Sequence, residues 1–211
     1  MEDKYEGQMG KGAYLSAREH YAEQAAKKYL ADPYANYDSK ISNFWSRRTY
    51  VSCWNQFPSE NAGLWRIYGD DKGVAIKTSW GSLKRSLAGE SDEVSTIFYG
   101  CVKYLNFEAR SDYIDNYTDK FFQKRREFSH EKEFRLVAHN SSVEHNYTND
   151  ISDVVPKLAV LKCDTSVLIE ELLISPRLSP WVSKVVEEVT AKYSGDWPVR
   201  RSKIYDTPET R

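Results

Sequence analysis

A chain of 211 residues with 40% hydrophobic and 14% aromatic side chains can bury one sizeable core, and we expect a single domain over residues 1–211. The 30 basic and 31 acidic side chains give a formal net charge of -1, which excludes a global field that attracts nucleic acid or an anionic membrane. The N-terminus has no apolar signal region and no apolar run approaches a membrane span, so we expect a soluble, cytoplasmic protein with no membrane partner.

The predicted elements are strands interrupted by short helices. In chain order we predict a helix over 10–31, a loop or short helix over 34–43, a strand over 47–54, a helix over 59–68 capped by Ser59 and ended by Gly69, a strand over 73–80, a helix over 81–87 and a strand over 94–105. There follow a helix over 112–126, a strand over 131–139, a loop over 140–152, strands over 158–163 and 169–174, an amphipathic helix from 179 or 180 to 193 ended by Gly195, and an edge strand over 199–205. Because regular βαβ alternation is missing, the predicted class is α+β, with a mixed, mostly antiparallel sheet flanked by helices.

The three cysteines indicate the compartment. Cys53, Cys101 and Cys163 lie far apart, each in an apolar or β-branched run. This pattern predicts buried thiols in a reducing compartment. The sequence has no CxxC and no clustered cysteine and histidine spacing, so we expect no metal site.

The segment Glu131-Lys132-Glu133-Phe134-Arg135 is the first candidate site. In a strand, alternate side chains share a face, so Glu131, Glu133 and Arg135 should point the same way. Two carboxylates can divide general-base and electrostatic roles, and a carboxylate beside a sugar can stabilise an oxocarbenium-like charge. The alternative interpretation is a solvated strand with a cross-strand ion pair.

The second candidate is the aromatic segment around Trp65 and Tyr68. In a helix these residues are three apart and share a face. They could form a stacking platform for a base or nicotinamide ring, with Arg66 at its rim. The alternative is an ordinary aromatic contact in the core.

The sequence resembles the bacterial domain-of-unknown-function family 2971 over nearly its whole length. The matching pieces are Glu6-Gly7, Tyr50–Trp54, Glu60, Leu64–Gly69, Gly73–Ile76, Gly100–Tyr104, Lys124-Arg125, Phe128–Arg135, Ile174–Arg177 and Ser202–Tyr205. The family name assigns no activity.

The layout of that family is in turn similar to the ADP-ribosyltransferase fold, in which a late strand glutamate grips the nicotinamide ribose of NAD. This similarity implies that Glu133 (or Glu131) is the catalytic glutamate and that Trp65 and Tyr68 line the pocket. The family's opening strands are missing before Met1. We therefore expect a start further upstream, a strand supplied by another chain, or binding without catalysis.

Three functions follow as hypotheses. The first is an ADP-ribosyltransferase-like or NAD-cleaving effector, in a toxin or phage-defence setting, with NAD as substrate. In it Glu133 positions the ribose, Glu131 assists the acceptor and Arg135 fixes the carboxylates. The second is a noncatalytic interaction module that binds a protein partner or a second copy in a multi-protein assembly. The third is binding or processing of nucleic acid, suggested by aromatics near arginines.

Overall fold

The structure, a computed structural model, describes residues 46–87, 96–107, 118–139, 157–193 and 197–206. The chain separates into two units, the first formed by residues 1–56 and 92–159 and the second by residues 57–91 and 160–211. The helix predicted over 10–31 and the loops predicted over 34–43 and 140–152 lie outside the described residues. Within the five described ranges, no helix is long and apolar enough to cross a membrane.

Short helices interrupt the strands without regular βαβ alternation, and the predicted α+β class is confirmed. In order they are β1 (Thr49–Asn55), α1 (Ala62–Leu64), a π-helical turn (Trp65–Gly69), β2 (Val74–Lys77), α2 (Trp80–Ser86), β3 (Thr96–Cys101), β4 (Lys103–Leu105), a 3-10 helix (Asp119–Phe122), β5 (Gln123–Arg125), a second 3-10 helix (Arg126–Glu131), β6 (Glu133–His139), α3 (Thr165–Leu168), β7 (Glu171–Ile174), α4 (Pro180–Tyr193) and β8 (Val199–Arg201). Among the described strands, β1–β6, β3–β6 and β2–β7 pair antiparallel, whereas β4–β5 and β7–β8 pair in parallel.

The first unit is built around β6. Its sheet has the order β1-β6-β3, so β6 is covered along both edges. Leu136, Val137 and Ala138 of this central strand are buried. Arg135 lies opposite Cys53 on β1 and opposite Gly100 on β3, which places the candidate segment at the start of the central strand.

Two predictions in the first unit are wrong in their extent or type. The strand predicted over 94–105 is broken at Val102, whose N–H donates to the Glu133 carbonyl at 2.9 Å, and the chain then pairs in parallel with β5. The helix predicted over 112–126 is, from residue 119 onward, a 3-10 turn followed by β5. Parallel pairing with β4 satisfies the backbone of residues 123–125, and this tertiary contact overrides the local helical pattern.

The second unit is built around β7, in a sheet of order β2-β7-β8. Leu172, Leu173 and Ile174 of this central strand are buried. β2 is shorter than the predicted strand over 73–80, because Ser79 caps α2 by accepting a hydrogen bond from the Ser82 N–H at 3.2 Å. The predicted helix over 180–193 is confirmed as α4.

The strand predicted over 158–163 is wrong, since those residues form no strand and Leu158 and Val160 are exposed. The chain instead enters α3, where the Asp164 carboxylate accepts a hydrogen bond from the Ser166 N–H at 2.9 Å.

The prediction of buried thiols is also wrong. Cys53, Cys101 and Cys163 are all exposed and none is in a disulfide. Cys53 and Cys101 lie on the two outer strands of the first sheet, where an apolar run does not ensure burial.

The helix predicted over 59–68 is a single α turn followed by a π turn. Asn61, rather than the predicted Ser59, is its cap, because the Asn61 side chain accepts from the Gly63 and Leu64 N–H groups at 2.8 and 3.2 Å. After this turn, the backbone at Gly73 packs closely against the backbone at Gly69. A Cβ on Gly69 would lie 2.5 Å from the Trp65 ring, and a Cβ on Gly73 would overlap the Gly69 backbone, 2.8 Å from its carbonyl oxygen.

We expect Gly73→Ala to lower the free energy of unfolding by about 1–3 kcal/mol, because backbone cannot yield as a flexible side chain can. Gly81→Ala is the matched control in the same unit. Its Cβ would lie 3.2 Å from the flexible end of Arg85 and at an ordinary contact distance of 3.9 Å from Ser79 Oγ, and alanine favours the helix. Urea denaturation of both variants tests this, and equal stabilities would contradict the close approach of Gly73 to Gly69.

Candidate functional site

The structure places the three predicted catalytic residues next to each other but not in one strand. Glu133 and Arg135 are in β6, whereas Glu131 is the last residue of the second 3-10 helix. Lys132 between them has a left-handed backbone, with φ of 44°. The prediction that Glu131 belongs to the strand is therefore wrong. The two carboxylates on either side of this left-handed residue still converge on one cation.

They converge on Lys124, a residue of β5. Its ammonium nitrogen Nζ lies 2.6 Å from Glu131 Oε2 and 2.8 Å from Glu133 Oε1. The other Glu133 oxygen, Oε2, accepts from Arg135 Nε at 2.6 Å. We call Lys124, Glu131, Glu133 and Arg135 the charge cluster; its formal charge is zero.

The charge cluster is buried. Glu131 and Glu133 are each 5% exposed, Lys124 is 6% exposed and Arg135 is fully buried. The alternative interpretation of a solvated strand is therefore wrong for these side chains. Charged groups tolerate burial only when they are paired and hydrogen-bonded, and each member of the cluster has at least one partner of opposite charge.

The electrostatics favour ionised forms. Burial by itself raises the pKa of Glu133, but its bonds to Arg135 and Lys124 outweigh it and lower that pKa to about 2. For Lys124, burial acts to lower the pKa, and its bonds to the two carboxylates raise it above the ordinary value. Glu133 is thus a carboxylate at every physiological pH.

Backbone contacts tie the charge cluster to the surrounding elements. Arg135 Nη1 donates to the Phe121 carbonyl at 2.8 Å, in the first 3-10 helix. The Asn55 side chain donates to the Glu131 carbonyl at 2.9 Å, and the Glu133 N–H donates to the Tyr104 hydroxyl at 2.8 Å. The cluster therefore fastens the 3-10 segments to the sheet as well as neutralising its own charges.

Sequence reasoning missed the role of Lys124. Lys124 lies in the helix predicted over 112–126, and the sequence does not show whether the side chain of a residue in that helix points toward β6. A signal did exist, because two buried carboxylates and one guanidinium leave one negative charge uncompensated. A further cation from a neighbouring segment was therefore required, and Lys124-Arg125 is the basic pair just before the 3-10 helix.

A second buried group of polar residues lies at the other end of β6. His139 Nδ1 and the Thr49 hydroxyl are 2.8 Å apart, and the imidazole packs edge-on against Phe121. Lys120 is fully buried, with its ammonium 3.2 Å from the Ser46 hydroxyl. Burial lowers the pKa of Lys120 to about 8, and burial together with the charge of Lys120 lowers the pKa of His139.

The predicted aromatic platform does not share one face. Trp65 is 8% exposed, whereas Tyr68 is 65% exposed, and Arg66 is also exposed. The physical reason is the π turn, which has more residues per turn than an α-helix, so positions three apart diverge. Trp65 is a core residue, as the alternative interpretation has it, and only Arg66 and Tyr68 are on the surface.

Several residues of the family resemblance build the second unit. The Trp65 indole N–H donates to Glu60 Oε2 at 3.0 Å, and Arg200 bridges Glu60 Oε1 at 3.1 Å and Glu171 Oε1 at 2.9 Å. Burial raises the pKa of Glu60, but bonds from Ser202, Trp65 and Arg200 outweigh it and lower that pKa. These contacts tie β7 and β8 to the turn that follows β1.

The predicted catalytic residues belong to the first unit and the predicted cofactor-binding residues Trp65, Arg66 and Tyr68 to the second. Among the residues that the structure describes, no group of three or more histidine, cysteine or acidic side chains could hold a metal ion. The roles of the predicted catalytic residues in catalysis and of the predicted cofactor-binding residues in binding stay predictions.

A family model described as "Protein of unknown function (DUF2971)" matches residues 64–136. This match supports the resemblance to that family, and its range includes the π turn and the whole charge cluster. No curated protein and no solved structure matches the chain. The looser similarity to the ADP-ribosyltransferase fold stays a prediction.

Replacing Glu133 by glutamine should lower the free energy of unfolding at pH 7 by about 3–5 kcal/mol, because Arg135 keeps its buried charge without this partner. The pH dependence should change too. The pKa of Glu133 is about 2 in the fold and ordinarily 4.5, so its stabilisation is complete above pH 4.5 and lost as pH falls toward 2. This loss amounts to roughly 3 kcal/mol in the wild type and is absent in the variant.

Chemical denaturation between pH 7 and pH 2.5 measures both effects. Glu127→Gln is the matched control, because Glu127 is an exposed carboxylate of the same 3-10 helix. Equal effects of the two substitutions would contradict the structural role of the Glu133 carboxylate.

Proposed function

We propose that this chain is a noncatalytic interaction module that binds another protein chain through its second unit. One observation carries the proposal: α4 presents an apolar stripe to solvent. Trp181, Val185, Val189 and Tyr193 follow each other at intervals of four residues and are 71%, 44%, 50% and 74% exposed. A contiguous exposed apolar stripe of this kind is typical of a surface that binds a partner.

The inward face of α4 strengthens this interpretation. The buried residues of the helix are the small polar side chains Ser183 and Thr190. A surface helix ordinarily turns its large apolar residues to the core and its polar residues to water. In α4 the two largest aromatic side chains, Trp181 and Tyr193, point outward instead. Leaving them in water forfeits the free energy that their burial would contribute, unless a partner covers them.

The charge cluster supports the noncatalytic part of the proposal. Both oxygens of Glu133 are already bonded, one to Lys124 and one to Arg135. A ribose hydroxyl would have to reach this carboxylate in a site where Glu133 is only 5% exposed, and it would compete there with two charged partners. We further propose that the protein acts in the cytoplasm, because its three cysteines are exposed thiols, a state that a reducing compartment maintains.

Trp181→Ala should remove the assembly that the wild-type chain forms. An aromatic anchor of an interface contributes about 2 kcal/mol or more, so we expect a loss of affinity of at least about thirtyfold. Light scattering of the purified chain, and sedimentation of the labelled chain in clarified bacterial lysate, measure the size of the assembly.

Ala191→Glu is the control for this experiment, since Ala191 is exposed on α4 outside the stripe. It should leave the assembly intact. A chain that stays strictly monomeric under both conditions would contradict an interaction module.

A second candidate is the NAD-dependent transferase or NAD-cleaving effector, acting as a toxin or in phage defence. The observation that favours it is the fixed ionisation of Glu133. Stabilising an oxocarbenium-like ribose requires a carboxylate that stays charged and oriented, and Lys124 and Arg135 provide both conditions.

If this second candidate holds, Tyr68→Ala should weaken NAD binding by about tenfold or more, since stacking on a base contributes roughly 1–3 kcal/mol. Tyr68 is largely exposed, so the melting temperature should stay unchanged. Tyr99→Ala, which removes an exposed tyrosine from the first unit, is the control. Calorimetric titration with NAD and a turnover assay in lysate are the measurements; a wild-type chain that neither binds nor consumes NAD excludes this candidate.

A further inference from the structure

We infer that the chain binding the stripe on α4 is a second copy of this protein, packed with the two helices antiparallel about a twofold axis. The inference rests on the proposed function, because it names the partner of the same surface. It is carried by three properties of α4: the order of its apolar residues, the charges beside them and the area that they offer.

The order of the apolar residues is self-complementary. Residues at intervals of four form a ridge along a helix, and such ridges pack into the grooves of a second helix in the commonest class of helix contact. The stripe begins with an aromatic residue, Trp181, and ends with another, Tyr193, about 18 Å away. An antiparallel copy centred near Glu187 sets Trp181 against the other Tyr193 and Val185 against the other Val189. Each aromatic side chain then covers the other end of its partner's stripe.

The charges beside the stripe favour the same arrangement. Lys184 and Glu188 lie on the side of the stripe away from the buried Ser183 and Thr190, and both are strongly exposed, at 77% and 67% of the side chain. Within one copy they are 3.9 Å apart, a long ion pair. In an antiparallel pair this flank faces its own copy in reverse order, so Lys184 lies about two residues, roughly 3 Å along the axis, from the level of the other Glu188, once on each side of the twofold axis. A parallel pair would instead turn this flank toward the valines of the other helix.

The available area suits a weak, reversible dimer. A fully buried aromatic side chain contributes about 150–250 Å², so the exposed parts of Trp181 and Tyr193 provide roughly 200–350 Å² per copy. With the valines and the stems of the flanking charged residues, two copies bury on the order of 1,000 Å², the lower bound for a specific interface. We therefore expect a dissociation constant in the micromolar range.

The test combines an apolar disruption with a charge exchange, each measured by sedimentation equilibrium of the purified full-length chain. Val185→Glu should abolish the dimer, and Ala191→Glu, which adds the same charge outside the stripe, should not. Lys184→Glu sets two pairs of like charges across the twofold axis and should raise the dissociation constant about tenfold. The double variant Lys184→Glu with Glu188→Lys restores opposite charges and should restore the wild-type constant. Thermal denaturation of each variant, at a concentration where it is monomeric, controls for effects on the fold.

The outcomes separate this inference from the proposed function. A dimer that Val185→Glu leaves intact, or a double variant as weak as Lys184→Glu, overturns the antiparallel pairing. The wild-type chain could also be monomeric up to high micromolar concentration and bind a different protein, with that binding lost when Val185 is replaced. This result would exclude a second copy as the partner but would support the interaction module. A chain with no partner of either kind overturns both.

Discussion

The ion pairs around Lys124 are the constraint on which the first unit depends. Removing a charged group from water costs several kcal/mol, and a protein tolerates that cost only when each charge faces an opposite one at hydrogen-bonding distance. Lys124 does this for two carboxylates at once, and Arg135 completes the neutralisation of Glu133. Because the four side chains come from β5, the second 3-10 helix and β6, these elements cannot shift relative to one another without exposing an unpaired charge in the core.

The same pairing limits what these residues can do chemically. A buried glutamate that has a pKa of about 2 and is paired with two cations is a poor proton acceptor. Its ionisation is compatible with stabilising a cationic transition state, but its burial opposes the approach of a substrate. The Glu-x-Glu-x-Arg motif at the start of the central strand is therefore compatible with either role, and the partners of the carboxylates, more than their spacing, favour the structural role.

In the second unit, close backbone approach decides which aromatic residues are buried. Gly69 and Gly73 leave room for the Trp65 ring and for the turn that follows it, so this tryptophan belongs to the core and bonds Glu60. Trp181 and Tyr193 are exposed instead, whereas the buried residues of α4 are the small polar Ser183 and Thr190. The exposed aromatic surface of the second unit therefore lies on α4 to a greater extent than at the predicted aromatic platform, where Trp65 is buried.

The sequence by itself determined the α+β class, the approximate positions of β1, β7 and α4, and the resemblance to a family of unknown function, and it singled out the Glu131–Arg135 segment as a candidate site. These follow from periodicity and local residue preferences, which act within a few neighbouring residues. Only the tertiary structure decided that residues 123–125 form a strand, that Glu131 precedes β6, that Lys124 is the shared partner and that Trp181 faces outward. Each of these depends on a contact between residues distant in sequence or on which face of an element meets the core, and neither the pairing of charges nor the orientation of a helix is encoded in local spacing.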